Sequence, residues 1–252
     1  MSDTTRRWDK RETERLMAAL GRANNFWALA PAMRAVTDRL MHAQYHFAEC
    51  KRLLSEHVDQ RLERGDDIWS VSFPASDEAM LAHNTFFVQC GAHMNACAQA
   101  THATADIMAH VVFHALGLGE TGTWPSKIKV SLHSVADYLK QQTSDDESAT
   151  DLAQVLDKFR EAPAFRAVTG LVNHLKHKGG PRATLALEPT DGKPYEMRFE
   201  DFVHGEYQPA KGIEEWLSPA FEVVNRAVVD IGIALNAYLY RSVQGLKAAR
   251  NT

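Results

Sequence analysis

The sequence predicts a mainly α-helical protein, an up-and-down bundle of long helices with one small β-hairpin insert. Two observations predict this class: apolar residues recur at helical spacing over long segments, and two-residue alternation is confined to one stretch near residue 190. Internal repeats and dividing linkers are absent from the sequence, so we expect one domain over residues 1–252.

Start and stop signals predict the first two helices. A short helix is expected from about Asp9 to Leu20, followed by a glycine. Pro31 suits the first turn of a long helix that ends near Arg64 and Gly65. The seam of this long helix is a row of apolar residues at seven-residue spacing, with a second row beside it: Met33, Leu40, Phe47 and Leu54, then Val36, Ala43 and Cys50.

The middle of the chain predicts three further helices. Ser76, followed by Asp77 and Glu78, is typical of a helix start, because carboxylates stabilise the positive end of the helix dipole. This second long helix is expected to extend to Leu116. A glycine-rich loop follows, and two shorter helices are expected at about 131–142 and 151–161.

Near residue 180 the spacing of apolar residues changes from helical to alternating. Pro163 opens a helix that Gly179 and Gly180 end. Apolar residues then alternate with others on both sides of Asp191-Gly192, a typical hairpin turn, which predicts a β-hairpin over about 182–203. The final helix is expected to start near Pro219, with Ser218 as its cap.

Composition restricts the classes of function. The net charge of −4 gives no global basic field, so a nucleic-acid partner requires a local basic patch. The three cysteines, Cys50, Cys90 and Cys97, suit free buried thiols in a reducing compartment, and we expect a cytoplasmic protein. The sequence has no uninterrupted apolar segment of membrane-spanning length, so no membrane partner is expected.

The most informative segment carries Asn173, Lys176 and His177. At spacings of three and four, these residues share one face near a helix end. Histidine can act as acid or base near neutral pH, lysine can stabilise a phosphate or oxyanion, and asparagine can orient a substrate group. We therefore interpret these three as candidate catalytic residues for metal-free cleavage of RNA, with no cofactor and no metal.

Three neighbouring residues, His174, Lys178 and Arg182, are candidate nucleic-acid-binding residues, because they supply the local positive charge that the whole chain lacks. A purely structural interpretation stands beside this one. Lysine and histidine are common in the last turn of a helix, where they complement the dipole and cover free carbonyl groups.

The segment NHLKHKG, after an amphipathic helix and before a small hairpin, resembles the N-x-x-K-H-[RK] signature of a bacterial branch of the HEPN superfamily. The resemblance implies an all-helical protein that dimerises and interacts with RNA or nucleotide, in many members as a metal-independent ribonuclease. It also keeps a non-catalytic dimerising module as an alternative. The catalytic Arg that many members carry a few residues before a His is not matched, since Arg166 lies eight positions before His174.

A metal-binding bundle is the second alternative. Histidines and carboxylates at helical spacing lie on the two first long helices: His42, His46 and Glu49, then His102, Asp106, His110 and His114. A transition-metal site is conceivable through His42, His46 and a partner such as His110. The other interpretation is a hydrogen-bonded polar stripe beside the seam.

Overall fold

The computed structural model of the chain describes residues 6–119, 124–142, 147–187 and 195–250. It is a mainly helical bundle with a small antiparallel sheet insert, so the predicted fold class is confirmed. The helices are α1 (Lys10–Ala19), α2 (Phe26–Leu54), α3 (Gln60–Glu63), α4 (Ile68–Ser72), α5 (Asp77–Leu116), α6 (Leu132–Gln142), α7 (Glu147–Glu161), α8 (Pro163–Lys178) and α9 (Ile213–Arg250). A 3₁₀ turn (Ala23–Asn25) precedes α2, and a π-helical segment (Ser55–Asp59) follows it.

The chain folds into two compact units. The first comprises the described residues within 1–39, 103–165 and 222–252, and the second comprises those within 40–102 and 166–221. The three longest helices, α2, α5 and α9, each contribute residues to both units. The expected single domain remains a prediction.

In the first unit, a chain of hydrogen bonds fastens the start of α1 to α9. The indole Nε1 of buried Trp8 donates to Thr13 Oγ1 at 2.9 Å, and that hydroxyl donates to Asn236 Oδ1 at 2.6 Å. Asn236 Nδ2 in turn donates to the carbonyl of Asp9 at 2.9 Å. Asp9 also caps α1, since its carboxylate accepts from the backbone N–H of Glu12. The polar groups buried with Trp8 are therefore satisfied.

The remaining helices of the first unit pack around an apolar core. α6 and α7 lie against each other, and Lys140 of α6 forms an ion pair with Asp157 of α7. The largest completely buried side chains of this unit come from five of its helices: Leu16, Met17, Leu29, Met108, Leu139, Leu152 and Leu156.

In the second unit, α2 and α5 run antiparallel. His46 contacts His93, the thiol of Cys50 donates to the carbonyl of Cys90 at 3.6 Å, and His57 contacts His83, so the order of partners is reversed. Cys50, Cys90 and Cys97 are all buried and free.

Two small sheets complete the second unit. β1 (Ala183–Ala186) pairs antiparallel with β2 (Glu196–Phe199), which also pairs with β5 (Lys211–Gly212). β3 (Phe202–His204) pairs antiparallel with β4 (Glu206–Gln208). The predicted alternation is confirmed on β2, where Met197 and Phe199 are buried. β4 and β5 extend beyond the predicted hairpin, and its predicted turn, Asp191-Gly192, lies outside the described residues.

Two helices begin earlier than predicted. In each of them, the proline that was expected near the helix start lies inside the helix. α2 begins at Phe26, so Pro31 is in its second turn, and α9 begins at Ile213, so Pro219 is also internal. The fixed φ of proline is helical, and this close to a helix start few backbone hydrogen bonds are lost. Buried Leu29 and Trp216 hold these early turns in place.

Within the described residues, no helix combines the length and the apolar character needed to cross a membrane.

Candidate functional site

The predicted site lies at the C-terminal end of α8. Val168, Leu171 and Val172 form the buried face of this helix, as its amphipathic pattern requires. Gly179 follows the last helical residue with φ +86°, a left-handed conformation that ends the helix and that residues with a side chain rarely adopt. The polar side chains of the last two turns are consequently presented beside a well-defined helix end.

The three predicted catalytic residues share one side of this end. Asn173 is half-buried, whereas Lys176 and His177 are exposed. Within the described residues, the side chains of Lys176 and His177 form no hydrogen bond or ion pair. Both are therefore accessible to a ligand, and both also lie where a cation complements the negative end of the helix dipole.

His174 and Lys178, predicted to bind nucleic acid, contact the β3–β4 hairpin. His174 Nδ1 and Lys178 Nζ each lie 3.3 Å from the carbonyl oxygen of Val203. Because a carbonyl only accepts, the Nδ1 of His174 carries the proton in this contact. A neutral His174 then has its lone pair on Nε2, which is the form that a general base requires.

The structure adds His204, which the sequence reasoning missed. Its ring lies 6.4 Å from the ring of His174, edge to face, and its Nδ1 is buried without a hydrogen-bond partner. Gly205, with φ +73°, forms the turn that places His204 opposite Glu206 in the hairpin. A histidine before a glycine in a short alternating segment was the available signal, but the sequence does not show which helix the hairpin packs against.

Asn95 of α5 also lies near the end of α8. Its Oδ1 is buried and has no hydrogen-bond partner, and its Nδ2 lies 3.5 Å from the point where a Cβ would stand on Gly180. A Cβ at Gly180 would also lie 2.9 Å from Leu175 Cδ2. The glycine at this position therefore allows the chain leaving α8 to pass close to α5, with a buried acceptor beside it.

Arg182 and Arg166 complete the cationic residues near α8. Arg182 is exposed just before β1, and its carbonyl accepts from the backbone N–H of Glu200 at 3.0 Å. Arg166 is exposed near the start of α8, two helical turns from His174. The structure thus places Lys176, His177 and Arg182 in solvent, and places His174 and Lys178 against the hairpin.

The histidine-rich helices form pairs of imidazoles. His46 lies 2.9 Å from His93, measured between the Nδ1 atoms, and the ring of the predicted partner His110 stacks on that of His114. Across the described ranges of the chain, no group of three or more histidine, cysteine or acidic side chains is arranged to hold a metal ion.

α5 also carries a long uncharged surface. Between Ala79 and Ala105 its sequence contains no Asp, Glu, Lys or Arg. On this stretch Leu81 is 69% exposed and Val88 is 73% exposed. Exposed helix faces of soluble proteins are normally rich in charge, so this surface is typical of one that meets a partner.

Comparison of the chain with protein-family models, with curated proteins and with solved structures finds no match.

Proposed function

We propose that the C-terminal end of α8 and the β3–β4 hairpin bind the phosphate groups of RNA or a nucleotide. One observation carries the proposal: Lys176, His177 and Arg182 are exposed and, among the described residues, have no side-chain partner. Exposed cationic side chains without an acidic partner are the groups with which proteins commonly contact phosphates. The N-x-x-K-H-K pattern at Asn173–Lys178, which resembles the HEPN signature, supports the same assignment.

The proposed chemistry is metal-independent cleavage of RNA. His177 acts as general acid or base, Lys176 offsets the charge of the phosphorane, and Asn173 orients the reacting group. His174 supports this proposal, because its Nδ1–H faces the Val203 carbonyl and its Nε2 is left as an acceptor. The unpartnered Nδ1 of His204, beside His174, supplies a further donor or acceptor for a bound ligand.

Two measurements test the proposal. Binding of a fluorescent single-stranded RNA is expected to weaken in Lys176→Met and in Arg182→Met, with a smaller salt dependence, since each change removes one phosphate contact. Lys158→Met is the matched control, because Lys158 is an exposed lysine in the last turn of another helix, α7. Equal binding by all three variants and the wild type would contradict the proposal.

Cleavage is tested separately in EDTA, so that contaminating metal-dependent nucleases are silent. The wild type is expected to cleave single-stranded RNA, and His177→Ala is expected to lose that activity while still binding RNA. Cleavage that persists in His177→Ala would exclude the catalytic role. A variant that only lowers the melting temperature, in a protein that binds no RNA, would show that the cluster is a helix cap.

The second candidate function is a dimerising interaction module, favoured by the uncharged surface of α5. We propose a homodimer in which Leu81 and Val88 are covered by a second copy. Light scattering coupled to gel filtration is expected to give twice the monomer mass, and Leu81→Glu with Val88→Glu is expected to restore the monomer. Tyr240→Glu, at an exposed aromatic residue of α9, is the control. A wild-type monomer at micromolar concentration would exclude this candidate.

We further propose that the protein acts in the cytoplasm. Its three cysteines are free and buried, as is usual for proteins of a reducing compartment.

A further inference from the structure

Two pairs of histidines join α2 and the π-helical segment after it to α5 in the second unit. His46 Nδ1 lies 2.9 Å from His93 Nδ1, and His57 Nε2 lies 3.2 Å from His83 Nδ1. A hydrogen bond between two imidazoles needs one N–H and one lone pair. Each contact therefore exists only while at least one ring of the pair is neutral.

The two pairs enclose the buried part of this helix contact. Cys50 and Cys90 meet between them, and the ring of His57 stacks on buried Phe86 with 4.2 Å between the ring centres. Both histidine pairs are thus at the same seam, one on each side of the cysteines. Loss of both contacts would remove the polar links on either side of an otherwise apolar interface.

We propose that protonation of these two histidine pairs opens the contact between α2 and α5, so that the pairs form an acid-sensitive latch in the second unit. When both rings of a pair are protonated, no lone pair remains between them and two positive charges face each other. Like charges this close are repelled, and the repulsion is strongest where water is excluded.

The groups around the first pair offset this charge only in part. His42 adds a further imidazole near His46, and Glu49 is the nearby carboxylate that attracts His46 and His93. Glu49 is already bound by Arg52 at 2.8 Å, which reduces its capacity to compensate two imidazolium rings. The ring of Tyr45 lies edge-on to both histidines and carries no charge.

Around the second pair, Arg61 acts on both His57 and His83 and disfavours their charged forms. The Val71 backbone hydrogen bond favours protonated His83. Two glutamates, Glu56 and Glu78, line the groove that His57 shares with Leu53 and Leu81, an open pocket of about 490 Å³. Glu56 forms an ion pair with Arg52, whereas Glu78 forms none with any of the described residues.

The pKa directions agree with this geometry. Burial, followed by the charge of the partner ring, lowers the pKa of His57 to about 4, and the same causes lower the pKa of His46. Because both shifts are downward from the ordinary pKa of 6.5, the open form binds more protons than the closed form as the pH falls. The closed form is fully favoured above pH 6.5 and loses its advantage as the pH falls towards 4.

The test uses Cys50 and Cys90 as reporters, in a Cys97→Ala background. Cys50 is 2% exposed and Cys90 0%, so the closed form reacts slowly. The hydrogen bond with Cys90, followed by burial, also raises the pKa of Cys50. We expect labelling by 4,4′-dithiodipyridine, normalised to a free peptide thiol at each pH, to accelerate between pH 6.5 and 4. The expected acceleration is up to about tenfold per pH unit for each proton taken up.

His46→Gln with His57→Gln keeps neutral hydrogen-bonding side chains and is expected to flatten this acceleration. His110→Gln, on α5 but in the first unit, is the control and is expected to respond like the wild type. Far-UV circular dichroism is recorded at each pH, because a latch opens while the helix content is retained. Labelling that accelerates only where the helical signal is lost would reflect global unfolding and would overturn the proposal.

An identical pH profile in the double variant and the wild type would also overturn it. If that variant does not fold at pH 7.5, the double variant His83→Gln with His93→Gln replaces it. These two residues are the partners of His57 and His46 on α5, so the same two contacts are removed. A nuclear magnetic resonance titration of the wild type gives a third reading. A His57 that titrates at or above pH 6.5 in the folded protein would exclude the latch.

Discussion

Replacing Gly232 of α9 with alanine is expected to destabilise the first unit, although alanine is the better helix former. Gly232 faces the indole of Trp8, and a Cβ built on it would lie only 2.5 Å from Trp8 Cδ1, with two other ring atoms closer still. Trp8 is 6% exposed, so the ring has little free space on its other side. The alanine methyl group would therefore overlap the indole.

The magnitude follows from three contributions. Alanine in a helix interior is favoured over glycine by about 1 kcal/mol. Overpacking of a well-packed core costs about 1–3 kcal/mol. The ring can move away only by breaking the 2.9 Å bond from Trp8 Nε1 to Thr13 Oγ1, which costs about 1 kcal/mol more. The net loss in the free energy of unfolding is therefore about 1–3 kcal/mol.

Urea unfolding followed by circular dichroism measures this change, with the slope compared between variants to verify that the same surface is exposed. Gly245→Ala, on the same helix, is the matched control, because a Cβ there meets nothing within 4 Å. We expect Gly245→Ala to raise stability by up to about 1 kcal/mol. If Gly232→Ala is as stable as the wild type or more stable, the indole of Trp8 does not pack against Gly232 as described.

Three further changes have definite expected outcomes. Thr13→Val leaves the buried Trp8 indole without an acceptor and Asn236 without a donor, and is expected to cost about 1–3 kcal/mol in urea unfolding; an unchanged midpoint would show that the hydrogen-bond chain is not formed. Gly179→Ala places a side chain on a residue in the left-handed conformation and is expected to lower the free energy of unfolding by about 1–2 kcal/mol, whereas Gly179→Asn is expected to lower it less; equal losses would contradict a left-handed cap at the end of α8. Arg52→Gln removes two partly exposed ion pairs, with Glu49 and Glu56, so the melting temperature of the variant is expected to change little; a large drop would show that these pairs contribute more than surface ion pairs normally do.

The elements that the sequence predicted correctly are those with local signals. The Ser76 hydroxyl accepts from the backbone N–H of Ala79 at the predicted start of α5. The left-handed Gly179 ends α8 as expected, and Asp9 caps α1. In each of these cases, side chains within a few residues of the boundary determine where the backbone hydrogen bonds begin or end.

The elements that were missed depend on distant residues. α9 begins six residues before Pro219, because Trp216 and Leu217 are buried by tertiary packing that no local pattern reveals. His204 joins the candidate site through a hairpin that packs against α8, and His174 lies 29 residues before its partner Val203. The sequence therefore predicted the residues of one helix end but not the groups placed opposite them.

The acceptor shared by His174 and Lys178 is a backbone atom, the carbonyl oxygen of Val203. Every amino acid supplies that oxygen, so no side-chain replacement at position 203 deletes the acceptor, whereas replacement at 174 or 178 deletes one of its two donors. Val203 itself is 53% exposed and has little packing to preserve. Evolutionary constraint on this contact would consequently fall on the helix alone, and position 203 would vary freely while its structural role stayed fixed.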